Sequence, residues 1–175
     1  MAWVWDFFEV DLNKLRVDGV DLNFQRTPHG YTREEIAQWM EELREIQRLC
    51  REKGYTDEDF QRMRQSSDPK ERALGETYHK FYDHEASGER MNHDFIKLEW
   101  VDDHYEVTNG RHRVYMAKQM GLRHIPAMVS APDEATLQRL REEGKRIAQG
   151  ELLERSSTPM WERTSRQRQR LERER

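Results

Sequence analysis

Five consecutive residues, Asn109-Gly110-Arg111-His112-Arg113, join a turn dipeptide to three nitrogen-bearing side chains. The β-forming run before them, Tyr105-Glu106-Val107-Thr108, and the helical spacing after them predict a strand that ends and a helix that starts at this point. A helix start leaves backbone N–H groups without intrahelical acceptors and carries the positive end of the helix dipole, so it favours an anion. Gly110 lets the chain turn tightly and an oxygen atom approach the main chain, while Arg111, His112 and Arg113 add donors. Cations at a helix start are themselves unfavourable by about a few tenths of a kcal/mol or more. A bound anion reverses that cost, which makes these five residues the candidate phosphate or nucleotide site. A plainer reading makes Asn-Gly a turn only, with Arg113 paired to a core carboxylate and His112 acting as a cap. The residues alone leave both readings open.

The elements that must position this turn are read from periodicity. Phe95, Lys97, Glu99 and Val101 alternate with Ile96, Leu98 and Trp100, and Asp102-Asp103 turns the chain into 104–108, a hairpin. A helix is expected from Arg111 to Met120, stopped by Gly121. A short strand follows from Ile125 to Ser130, with Pro126 tolerated near its start or on an edge. Asp133 caps a last helix through Leu137, Leu140, Ile147 and Ala148. Nearer the start, Trp3 to Leu15 reads as a first strand and turn. Thr32 and Glu35 stand at capping-box spacing and open a helix to about Lys53, with Gly54 as its left-handed stop. Its stripe of Ile36, Trp39, Met40, Leu43, Ile46, Leu49 and Cys50 is core, which makes Cys50 a small buried filler. Two shorter helices follow, one capped by Thr56 with Phe60 and Met63 inward. The other is opened by Asp68 and Pro69, with Leu74, Tyr78, Phe81 and Tyr82 inward.

The run from Tyr105 to Val129, with Asn109-Gly110-Arg111-His112-Arg113, then Gly121-Leu122 and Ile125-Pro126, resembles the ParB/sulfiredoxin superfamily. That family carries a strand, a Gly-x-His-Arg or Gly-x-Arg-Arg turn, a helix, then Gly-Leu and Ile-Pro leading into a strand. Val10 to Arg16 also looks like its opening strand and turn. The resemblance covers 95–131 well and 8–26 weakly. It implies a small α+β domain over 1–150, with a helical insertion at about 32–92 and an arginine-rich tail at 151–175. It further implies that Gly110, His112 and Arg113 hold nucleotide phosphates, those of ATP or CTP with Mg2+. Sulfiredoxins have their catalytic cysteine where this chain has Arg111, so reductase chemistry is not expected. The chain after Ala131 is also too short for the helix-turn-helix domain of ParB partition proteins.

Phosphoryl transfer or nucleotide hydrolysis needs a carboxylate near the phosphates as base or metal ligand. Asp11, Asp18, Asp21, Asp102 and Asp103 are the candidates, unranked. His79, His84 and His93 cluster with Asp83, Glu85 and Asp94, but their spacing fits no metal template, and no structural metal is expected. The 175 residues hold 34 acidic against 30 basic side chains, which argues against nucleic acid or an anionic membrane as the main partner. The arginines between Arg163 and Arg175 keep non-specific nucleic-acid binding or nuclease action as an alternative. Ahead of that alternative stands an interaction or scaffold module that binds a protein partner, and Trp161 on the tail would suit a homodimer. The single cysteine and the opening residues, which lack a signal peptide's basic start and apolar run, predict a cytosolic protein.

Overall fold

The computed structural model describes residues 3–17, 30–82 and 95–150, and the chain in it is α+β. Strand β1 (Val4–Asp11) runs through a single 3-10 turn (Leu12–Lys14) into the two-residue strand β2 (Leu15–Arg16). Helices α1 (Arg33–Lys53), α2 (Asp57–Arg64) and α3 (Pro69–Tyr82) follow. The hairpin of β3 (Lys97–Val101) and β4 (His104–Asn109) leads into α4 (Arg111–Gln119), β5 (His124–Ala131) and α5 (Glu134–Ala148).

The strands form one sheet in the order β1-β5-β3-β4-β2. β5 is antiparallel to β1 and parallel to β3, while β4 is antiparallel to β3 and parallel to β2. β1 and β2 are opposite edges, yet only the 3-10 turn separates them, and a four-residue step reaches at most about 14 Å. Opposite corners of the sheet are therefore drawn together, and the sheet must coil around its apolar face. Val10, Leu12, Leu15, Leu98, Tyr105 and Ile125 are buried, in one core with Leu137 and Leu140 of α5.

Pro126 does not mark an edge, because β5 lies inside the sheet. Its tolerance comes from register. Pairing with β3 begins at Met128, whose N–H donates to the Ile96 carbonyl at 2.9 Å. The Pro126 nitrogen, two residues earlier, points the same way, at a level where β3 has not begun.

The longer edge, β1, is eight residues long and would be a template for foreign strands if left open. α5 lies against it so closely that a Cβ on Gly144 would stand 1.6 Å from the Glu9 carbonyl oxygen. Phe7 sits opposite Met128, whose N–H is turned toward β3, so the Phe7 N–H points away from β5. It donates instead to Asp6 Oδ1 at 2.7 Å, and Asp6 Oδ2 accepts from Arg141 Nε at 2.8 Å. The edge is thus covered by a helix, and the outward Phe7 N–H is occupied.

The helix signals act locally, as their chemistry requires. Thr32 Oγ1 accepts from the Glu35 N–H and Glu35 Oε1 accepts from the Thr32 N–H, both at 3.1 Å, and Gly54 adopts φ 69°. One expectation is overturned: Cys50 is exposed, while Gln47, a polar residue of α1 outside the expected apolar stripe, is buried. A second core joins α1 to α2 and α3 around Phe60, whose ring stacks on Tyr78 at 4.2 Å. Among the described residues, no helix is long and apolar enough to cross a membrane.

Candidate functional site

Asn109 is the last residue of β4, and Gly110 is the N-cap of α4 with φ 94° and ψ 28°. Glycine is needed there because a side chain at that φ is strained. The helix starts cleanly, with the Val114 N–H donating to the Gly110 carbonyl at 3.0 Å. The N-cap Gly110 has no side chain to cap α4, and the first turn holds no acid. The positive end of the helix dipole is therefore not offset by an acidic side chain of its own first turn.

The three basic side chains of that turn part company. Arg111 is exposed, His112 is half-buried and Arg113 is only 5% exposed. The Arg113 guanidinium folds beneath the glycine: its Nη2 lies 2.9 Å, and Ile96 Cγ1 3.0 Å, from where a Cβ on Gly110 would stand. Its Cζ lies 6.0 Å from the centre of the Phe81 ring. Gly110 is thus demanded by backbone conformation, and the guanidinium and Ile96 leave little room for a Cβ beside it. The Asn109 side-chain amide donates to the Phe95 carbonyl, tying the end of β4 to the chain entering β3.

The described carboxylates of the sequence reading lie elsewhere. Asp102 and Asp103 form the β3–β4 turn, Asp102 with φ 57°. At about 3.3 Å per residue, the length of β4 puts Asp103 roughly 20 Å along the strand from Gly110. Asp103 instead bonds His104 at 2.9 Å, and that bond holds its carboxyl below the usual carboxylate range. Asp11 caps the 3-10 turn, accepting from the Asn13 N–H at 2.9 Å. Asp18 and Asp21 lie outside the described residues.

His79 Nδ1 meets Arg64 Nη1 at 3.1 Å, while His84, His93, Asp83, Glu85, Asp94 and the arginine-rich tail lie outside the described residues. Among the described residues, no group of three or more His, Cys, Asp or Glu side chains could hold a metal ion.

A second polar constellation escaped the sequence reading. Glu9 on β1 and His124 on β5 meet at 2.5 Å through Oε1 and Nδ1. Gln47 Nε2 on α1 donates to the His124 carbonyl at 2.9 Å. The Tyr82 hydroxyl on α3 bonds both Glu9 and Gln47, and loss of solvation followed by the Glu9 charge holds it well above the usual tyrosine range. The network binds four elements through side chains far apart in the chain. Its one local signal is a glutamine beside the apolar stripe of α1.

Comparison of the chain with known protein families, with curated proteins and with solved structures finds no match.

Proposed function

We propose that this chain is a cytoplasmic nucleotide-binding protein of the ParB/sulfiredoxin type that holds phosphate at the start of α4. Gly110 carries the reading: it is a left-handed N-cap without a side chain, opening a helix whose first turn is Arg-His-Arg and holds no acid. In this reading the backbone of 110–113 cradles the phosphate and exposed Arg111 closes over it. Half-buried His112 adds a donor, and Arg113 supplies positive charge from below. ATP or CTP with Mg2+ is the ligand class, as the resemblance implies.

The test is a thermal-shift and calorimetric screen of ATP, CTP, GTP and inorganic phosphate, with and without Mg2+. Wild type, Arg111→Ala and Arg113→Ala are compared. Binding at a hundredfold excess over Kd stabilises the fold by about 2.7 kcal/mol. Arg111→Ala removes a charge-assisted contact worth about 1.5 to 3 kcal/mol without disturbing the core. Absence of any shift with every nucleotide and with phosphate refutes the reading.

The positions of Asp11, Asp102 and Asp103 favour a second reading, binding without turnover, in which the fold serves as an interaction module for a protein partner. Nucleotide binding with no hydrolysis or phosphoryl transfer over hours separates it from phosphotransferase or hydrolase activity. Nucleic-acid binding through 151–175 would show as an affinity that falls steeply with salt and disappears on truncation after Gly150.

A further inference from the structure

A groove of about 470 Å3 runs between α1 and α3. Glu34, Glu35, Trp39 and Glu42 of α1 line one wall, and Glu76 and Thr77 of α3 line the other. The α1 residues recur at three and four, so they share one face of the helix.

Among the described residues, no basic side chain lines this groove. Glu35 accepts from the Thr32 N–H, and Glu42 accepts from the Thr77 hydroxyl and the Gln38 amide. These donors are neutral and leave the carboxylate charges in place. Glu76 pairs with Arg64 at 3.1 Å. Lys80, one turn beyond Thr77, stands with its Nζ 4.6 Å from the centre of the Trp39 ring. Arg64, Lys80 and the positive end of the α1 dipole, about half a charge, are outnumbered by the four carboxylates, so the groove stays acidic. The Lys80 contact also shows that the ring in this groove takes a cation.

The complementary charge is in the same chain. Residues 163–175 carry six arginines against Glu172 and Glu174. Gly150 brings the chain to the C-terminal end of α1, where its Cβ would stand 3.4 Å from Arg51 Cδ. From Arg51 back to Gln38, which also lines the groove, the helix rises about 20 Å. Residues 151–162 can span up to about 40 Å, so they are long enough to reach it.

We propose that residues 163–175 dock in the α1–α3 groove of the same molecule, with arginine side chains between Glu34, Glu42 and Glu76 and against Trp39. Guanidinium suits this groove because it pairs with a carboxylate through two N–H groups and stacks on an aromatic ring. Docked arginines are withheld from an external polyanion, which makes the groove an internal competitor for such a partner. The contact is separate from the α4 turn and does not depend on it.

The experiment uses the full-length protein with a nitroxide on Gln169→Cys in a Cys50→Ser background, and reads the line widths of nitrogen-15 backbone amides. Cys50 is exposed, so its replacement spares the core. Broadening confined to the groove walls, around 34–42 and 73–77, is expected at low salt. It should fade toward 1 M salt, where the Debye length is about 3 Å. Glu34→Gln with Glu42→Gln should cut the docked population about two- to fivefold, as the loss of two exposed ion pairs implies, whereas Glu142→Gln on α5 should not. Arg166→Gln, Arg168→Gln and Arg170→Gln together should reduce it likewise, through changes outside the described fold.

Absent or uniform broadening overturns the proposal, and so does broadening centred elsewhere or unaffected by salt. Broadening that appears only when spin-labelled protein is mixed with nitrogen-15 protein lacking the nitroxide gives the groove to the segment of a second copy and removes the intramolecular contact. Broadening unchanged in both the glutamate and the arginine variants means that charge does not hold the segment there, and the proposal falls.

Discussion

Replacing Gly144 by Ala should destabilise the protein although alanine is the better helix former. The added Cβ would stand 1.6 Å from the Glu9 carbonyl oxygen and 2.7 Å from its carbon. A carbon–oxygen contact needs about 3.3 Å, so α5 must retreat from β1 by roughly 1.5 Å. Leu137, Leu140 and Ile147, which anchor that helix, are 1%, 0% and 7% exposed. Burying each is worth about 1.5 to 3 kcal/mol. A gap of about an ångström forfeits a quarter to a half of the contact energy, or roughly 3 kcal/mol over the three. The propensity gain of alanine over glycine returns about 1 kcal/mol. A net loss of about 2 kcal/mol should lower Tm by roughly 4 to 8 °C in a chain of this size. Urea unfolding of Gly144→Ala beside Glu142→Ala, an exposed change in the same helix, measures it. A more stable Gly144→Ala, as propensity alone dictates, would refute the seating of α5 on the β1 backbone.

Gly75→Ala should act in the same way on the second core, because its Cβ would stand 2.6 Å from the Arg64 backbone nitrogen; a loss of about 1 to 3 kcal/mol by urea unfolding checks it. Gln47→Leu removes the donor to the His124 carbonyl and the partner of Tyr82, so a loss of about 1 to 3 kcal/mol is expected despite the added apolar surface, again by urea unfolding. The Asp133 carboxyl is held below its usual range, first by the Thr136 N–H, so its contribution to stability is complete above about pH 4 and is lost as pH falls through the lowered value. Asp133→Asn keeps the cap but not the titration, and a Tm profile in acid that matches wild type would rule this out as a source of acid sensitivity.

What was legible in the sequence was what local chemistry decides. Thr32 with Glu35 and Gly54 mark both ends of α1, because capping joins residues three apart and a left-handed stop needs only glycine. Gly110 was legible for the same reason, and so was the strand-to-helix turn around it. The fate of the side chains was not. Cys50 continues the apolar spacing of α1 yet is exposed, while Gln47 is buried with the His124 carbonyl, 77 residues away, as its partner. Pro126 reads as a sign of a strand start or an edge, and the register decides for the start, since pairing with β3 begins two residues later. The sequence leaves Arg113 as either a phosphate donor or a buried ion-pair partner; in the fold it lies buried beneath the glycine, beside Ile96 and Phe81, while Arg111 is exposed. The division bears on the proposed site. Buried Arg113 is fixed by its packing, whereas exposed Arg111 pays side-chain entropy to close on an anion. Arg111→Ala should therefore weaken anion binding and leave the fold intact, whereas Arg113→Ala should lower stability as well, a difference that urea unfolding of the two variants measures.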